Sequence, residues 1–137
     1  MAFKVRRIDY FHTSVRDEPG QALATLSALA REGVNLLAFS AVPFGANLTQ
    51  LTLYPEESGS LTRAARNAGM TLDGPHHALL VQGDDELGAL AGIHERLYRA
   101  NVNVYASNGV ADGRGSYGYV IHVLPGDLER AARTLQI

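Results

Sequence analysis

The sequence predicts an α+β fold made of two ferredoxin-like β-α-β-β-α-β repeats, with antiparallel sheets and helices on one face. Three observations predict it. The stretch 17–42 returns 68 residues later with nine identities in 26 positions, among them Asp17/Asp85, Gly20/Gly88, Leu29/Leu97, Val34/Val102 and Asn35/Asn103. Residues 61–66 return as 128–133 with five of six residues kept, at a shift of 67. Two matches in the same order mark a tandem duplication. In both halves, finally, the apolar spacing switches between strand and helix periods in the same order. The repeats divide the chain into 1–75 and 76–137.

Residues 10–15 alternate as a strand, and the apolar run 78–81 is its counterpart. Acidic turns follow, Arg16-Asp17-Glu18-Pro19-Gly20 and Gly83-Asp84-Asp85-Glu86. Asp ahead of an apolar-periodic stretch, with Pro in the first turn, signals a helix start. Ala22, Leu26, Leu29 and Gly33 then share one helical face, as do Leu90, Ile93, Leu97 and Asn101. Gly33 and Asn101 suit the left-handed residue that ends a helix. Strands at 34–42 and 102–110 turn at 45–47 and 112–115 and return over 48–54 and 117–124. Second helices cover 60–68 and 127–135, with Ser60 and Asp127 as caps, and Gly69 ends the first of them. A short strand at 70–73 closes the first half, whereas the second half reaches Ile137 lacking its last strand. The extension at 2–8 is expected to supply that pairing; the alternatives are an open edge or a partner chain.

Composition excludes several functions. The 137 residues include no cysteine, which removes disulfides, thiolate metal sites and cysteine nucleophiles. A net charge of −2 gives no basic footprint for nucleic acid. No apolar run reaches the roughly 20 residues that span a bilayer, and residues 1–7 are too short and polar for a secretory signal. A cytoplasmic protein without membrane contact is expected. The halves differ in charge: seven basic against six acidic residues in 1–69, five against eight in 70–137. That difference favours head-to-tail pairing of the halves only weakly.

Catalytic signals are absent from the pattern. Gly113-Arg114-Gly115-Ser116-Tyr117-Gly118 matches G-x-G-x-x-G, but a strand-like segment follows it, so it reads as a hairpin and not a dinucleotide site. His12, His76, His77, His94 and His122 show no zinc-ligand spacing, and no metal or cofactor is expected. His94 stands where the first half has Leu26, at the rim of the helix layer. No serine sits in a nucleophile elbow and no carboxylate pair is placed for acid–base work. An enzyme using His12 or His122 as a base lacks any reactive partner in the sequence, so the chain reads as no enzyme.

A strand, a turn of the form Asp-x-Pro-Gly, an apolar-spaced helix and Gly-Val-Asn opening the next strand resemble the ACT domain. The carrying residues are Asp17, Pro19, Gly20, Leu26, Leu29, Gly33, Val34 and Asn35, with Asp85, Gly88, Leu90, Ile93, Leu97, Val102 and Asn103 in the second copy. The resemblance covers 9–135 and implies a free-standing tandem ACT protein. It also implies a ligand, commonly an amino acid, held between two such domains by the first strand–helix turn and the residue opening the second strand. On this sequence those positions are Asp17, Glu18, Pro19, Gly20 and Asn35, and Asp85, Glu86, Gly88 and Asn103. Leu87 replaces Pro19 in the second copy. The His that serine-binding members carry in the first turn is here Val15 or Gly83, which argues against serine.

Physical chemistry supports such a site and a blander alternative. A helix N-terminus suits a carboxylate, the aspartates an ammonium group, and an asparagine can donate and accept. Equally, Asp17 and Asp85 can simply cap helices, and Asn35 and Asn103 can satisfy turn backbone. The expected function is a non-catalytic sensor that binds an amino acid or related metabolite at the interface of its ACT-like repeats. The alternative is a protein–protein module, a detached regulatory subunit of a biosynthetic enzyme with no ligand of its own. The edge strands 34–42 and 102–110 are long and apolar, so cover by each other or across a homodimer is expected.

Overall fold

The structure is a computed structural model and describes residues 3–136. In chain order the elements are β1 (Phe3–Arg16), α1 (Gln21–Arg31), β2 (Leu36–Pro43), β3 (Leu48–Pro55), α2 (Ser58–Ala68) and β4 (Asp73–Asp84). Then come α3 (Ala89–Arg99), β5 (Val104–Ala111), β6 (Ser116–Val123), a 3-10 turn at Pro125–Asp127 and α4 (Leu128–Leu135). Contacts divide the chain into two compact units, Asp9–His76 and a second formed by residues up to Ile8 together with His77 onward.

In the first unit the antiparallel order is β2-β3-β1-β4, with the start of β4 as the fourth strand. Phe11 lies opposite Leu53, and Phe39 also opposite Leu53. Phe11, Leu29, Leu53, Leu61 and Ala64 form its core, with Val34, Leu36, Met70 and Leu72 packed on it. Gly74 passes so close to Phe11 that a Cβ there would meet the ring at 2.8 Å.

The second unit repeats this arrangement 68 residues on. Leu79 lies opposite Ile121 and Ser107 opposite Ile121, and both outer strands carry the same irregularity, at Leu36/Ala38 and Val104/Ala106. Its order is β5-β6-β4-β1, in which Phe3–Ile8 takes the fourth position. Phe3 and Val5 pack on a core that includes Leu79, Val81, Ile93, Leu97, Ile121, Ala131 and Leu135. The Arg96 guanidinium lies 5.4 Å from the centre of the Phe3 ring, and Arg7 pairs with Glu129 of α4 at 2.5 Å. Among the described residues no strand follows α4, and Phe3–Ile8 fills the fourth place of this sheet. Phe3–Ile8 therefore groups with the second repeat, where the sequence division had put these residues in 1–75.

Several local expectations need correction. The short strands at 70–73 and 78–81 are not separate: Asp73–Asp84 is one strand, and Thr71 before it accepts a hydrogen bond from Thr13 Oγ1 at 2.9 Å. Helix α2 begins two residues early, with Glu57 as its N-cap, so Ser60 is inside the helix and donates to Glu57 Oε1 at 3.0 Å. Asp127 does stand at the N-cap of α4, but its carboxylate accepts from Arg130 at 2.8 Å instead of capping. Gly33, Gly69 and Asn101 have the expected left-handed backbone, with φ of 78°, 70° and 57°. β2 pairs only with β3 and β5 only with β6 among the described strands, so neither edge covers the other.

Candidate functional site

Both repeats build the same strand–helix turn. Where β1 ends, the Asp17 N–H donates to Asn47 O at 2.8 Å; where β4 ends, the Asp85 N–H donates to Gly115 O at 2.9 Å. The chain then reverses through Gly20 (φ 88°) and Gly88 (φ 82°), which stand as the N-caps of α1 and α3. A left-handed residue at that point explains both glycines. Neither helix start receives a side-chain cap, so Asp17 and Asp85 are not caps. Bare N–H groups and the positive end of the helix dipole remain at each turn. Asp17, Glu18 and Pro19 are exposed around the first, and Asp85, Glu86 and the fully exposed Leu87 around the second. An open groove of about 570 Å³ runs along Asp85–Ala91 and is bounded by Tyr117.

The asparagines lie elsewhere. Asn35 Nδ2 donates to Glu56 Oε2 at 2.5 Å while the Glu56 N–H donates to Asn35 O at 2.9 Å, a two-way latch between the start of β2 and the end of β3. β3 begins opposite Arg16 and ends opposite Leu36. The Asp17 turn and Asn35 are thus at opposite ends of a strand of eight residues, about 23 Å apart at 3.3 Å per residue. The same registers separate Asp85 from Asn103 in the second unit. Within one unit the structure does not bring turn and asparagine together. Opposite Asn103 the position matching Glu56 is Leu124, so no carboxylate is there to latch it.

Two side-chain clusters escaped the sequence reading. In the first unit His12 and His76 rings lie 5.5 Å apart, each within 5.3 Å of the Tyr10 ring. His12 Nδ1 is 3.0 Å from Thr52 Oγ1 and His76 Nε2 is 3.2 Å from Asp73 Oδ2. Burial, and then the charge of His76, lower the His12 pKa against an opposing pull from Asp73. An open groove of about 660 Å³ beside this cluster is lined by His12, Thr25, Gln50, Thr71 and Asp73 among others. The partners are some 60 residues apart in sequence, so nothing local announced them. In the second unit Tyr119 joins His94 at 2.6 Å to Ser107 at 2.9 Å. The repeat alignment did carry that signal: the three positions match Leu26, Leu51 and Phe39.

Beneath the second turn, Tyr117 is buried with a hydroxyl that has no hydrogen-bond partner. Burial, with Glu86 and Asp84 adding to it, pushes its pKa up and keeps the phenol protonated. Among the described residues no three His, Asp or Glu side chains gather as a metal site, and no helix is long and apolar enough to cross a membrane. The glycine-rich Gly113-Arg114-Gly115 forms the β5–β6 hairpin.

No family profile and no curated protein matches the sequence. Solved structures do. The chain is similar to protein BT0572 from Bacteroides thetaiotaomicron, with a TM-score of 0.81, 16% identity, and coverage of 96% of this chain and 88% of that one. It is also similar to the regulatory subunit of aspartate kinase from Thermus thermophilus in its ligand-free form, with a TM-score of 0.66, 15% identity, and coverage of 97% and 93%. The α and β subunits of an aspartokinase give a TM-score of 0.63 at 16% identity over 98% and 95%. At such identities the likeness is one of fold, and the fold of this chain is that of the ACT-domain proteins, present twice.

Proposed function

We propose that this chain is a non-catalytic regulatory module that binds an amino acid or related small metabolite at its strand–helix turns. One observation carries the reading: both repeats place a left-handed glycine and an uncapped helix start beneath acidic residues. Free N–H groups suit a carboxylate and nearby carboxylates suit an ammonium group. The turn residues Asp17, Glu18, Pro19, Gly20, Asp85, Glu86 and Gly88 bear the proposal. Asn35 and Asn103 join it only where another repeat, of this chain or of a second copy, supplies them. The fold likeness to an aspartate kinase regulatory subunit supports a regulatory role.

The test is a thermal-melting screen against the twenty amino acids and common purines and pyrimidines. A ligand at 100 times its Kd adds about 2.7 kcal/mol, a shift of several degrees for a chain of this size. A flat screen at millimolar concentration removes the reading. The outer edge of β5, exposed from Tyr105 to Ala111, favours a second one. In that reading a partner enzyme or a second copy of the chain adds a strand there, and recovery of one stoichiometric partner from a pull-down, or a dimer in sedimentation, supports it.

A further inference from the structure

The histidine cluster of the first unit has no counterpart in the second, where buried Leu80 and Val120 stand at the positions of His12 and Thr52. The fold therefore does not require polar groups there. The first unit carries them on three neighbouring strands: Thr52 on β3, His12 on β1, and Asp73 and His76 on β4. β1 lies between the other two, and Thr52 is directly opposite His12. The contact of His12 Nδ1 with Thr52 Oγ1 turns that nitrogen toward β3, which leaves Nε2 on the side of β4 and His76. His76 Nε2 donates to the Asp73 carboxylate, so its Nδ1 keeps a free lone pair.

We propose that His12 and His76 form a two-histidine site for a divalent nickel, copper or zinc ion, ligated through His12 Nε2 and His76 Nδ1 and tying β1 to β4. Imidazole suits these ions. Two imidazoles bound at about 2.1 Å to one tetrahedral ion place their ring centres about 5.4 Å apart. The two rings here are 5.5 Å apart. Ligating histidines characteristically donate the other ring N–H to an oxygen, which fixes the tautomer and the ring orientation. Thr52 Oγ1 and Asp73 Oδ2 are those oxygens. Burial, and then the charge of His76, lower the His12 pKa against the pull of Asp73, so this ring is neutral at pH 7, as a ligand must be. The groove of about 660 Å³ that His12 and Asp73 line gives the ion its way in. No third His, Asp or Glu joins the pair as a ligand among the described residues, so water fills the remaining positions. The binding is accordingly weaker than in a closed structural zinc site. None of the strand–helix turn residues takes part, and neither proposal depends on the other.

The test titrates the full chain with zinc chloride alone, by calorimetry and by NMR of the histidine rings. One ion should bind per chain with a Kd under about 100 µM. The ring signals of His12 and His76 should shift, and those of His77, His94 and His122 should not. His12→Gln and His76→Gln should each weaken binding at least about tenfold, and Asp73→Asn about tenfold, whereas His94→Gln should bind as wild type does. Saturating zinc should raise the melting point of wild type by several degrees and leave the two histidine variants unmoved. A Kd above about 100 µM, or shifts confined to the other histidines, means an adventitious ion only and overturns the proposal. So does wild-type affinity in His12→Gln or His76→Gln. Where a variant does not fold, the ring shifts of the wild-type protein decide.

Discussion

The first helices of the two units, α1 and α3, occupy the same place in the repeat but anchor to different degrees. α3 buries Ala89, Ile93 and Leu97, whereas the matching residues of α1 are Gln21, Thr25 and Leu29, of which only Leu29 is buried. Where Ile93 fills the second core, Thr25 lines the open groove beside His12. The polar layer is distributed in the opposite sense. The second unit threads His94, Tyr119 and Ser107 between helix and sheet where the first has Leu26, Leu51 and Phe39. Tyr119 fits because Gly109 lies against its ring; a Cβ there would stand 2.8 Å from the ring edge. Duplication preserved the backbone and its registers while the side-chain layers diverged. A fold of this kind tolerates such exchange as long as each layer keeps its volume and satisfies its polar atoms.

The largest effect expected from breaking this asymmetry comes from Ile93→Thr, which gives α3 the residue of α1. It removes buried apolar area and buries a hydroxyl, so denaturant unfolding should show a loss of about 2–3 kcal/mol. The reverse exchange, Thr25→Ile, meets open space and should cost less than about 0.5 kcal/mol or stabilise slightly. Equal losses in the two variants would mean that the helices are anchored alike.

The asparagine latch sharpens the comparison at a smaller scale. Asn35→Ala should cost about 1 kcal/mol, since it removes one charge-assisted hydrogen bond from an exposed site. Leu124→Glu offers Asn103 the carboxylate that the second unit lacks and should gain about 0.5 kcal/mol. A stability unaffected by Asn35→Ala would reduce the latch to a crossing of side chains in solvent.

The smallest effect is the pH dependence carried by His12, matched by Leu80 in the second unit. Burial and His76 lower its folded pKa below the unfolded value near 6.5, so the unfolded chain binds more protons in the window beneath it. Its contribution is complete above that value and is lost as pH falls from about 6.5 toward the folded pKa. Melting points taken between pH 7.5 and 5 should decline less steeply in His12→Gln than in wild type. Parallel curves would remove His12 as the source.

The sequence by itself determined the duplication, the order of elements, the helix ends at Gly33, Gly69 and Asn101, and the hairpin identity of Gly113–Gly115. These depend on local backbone preference and periodicity, which neighbouring residues encode. Tertiary structure decided the rest. Phe3–Ile8 completes the second unit because strand pairing is non-local, and no residue in 2–8 specifies its partner. Strand length also set the site: an eight-residue β3 carries Asn35 about 23 Å from the Asp17 turn, although the two are only 18 positions apart in the chain. The hydroxyl of Tyr117 is one of six tyrosine hydroxyls in the sequence, and only its burial under the Asp85 turn distinguishes it. Whether a polar atom finds a partner is a property of the packed chain, where water is excluded and each hydrogen bond must be met from within.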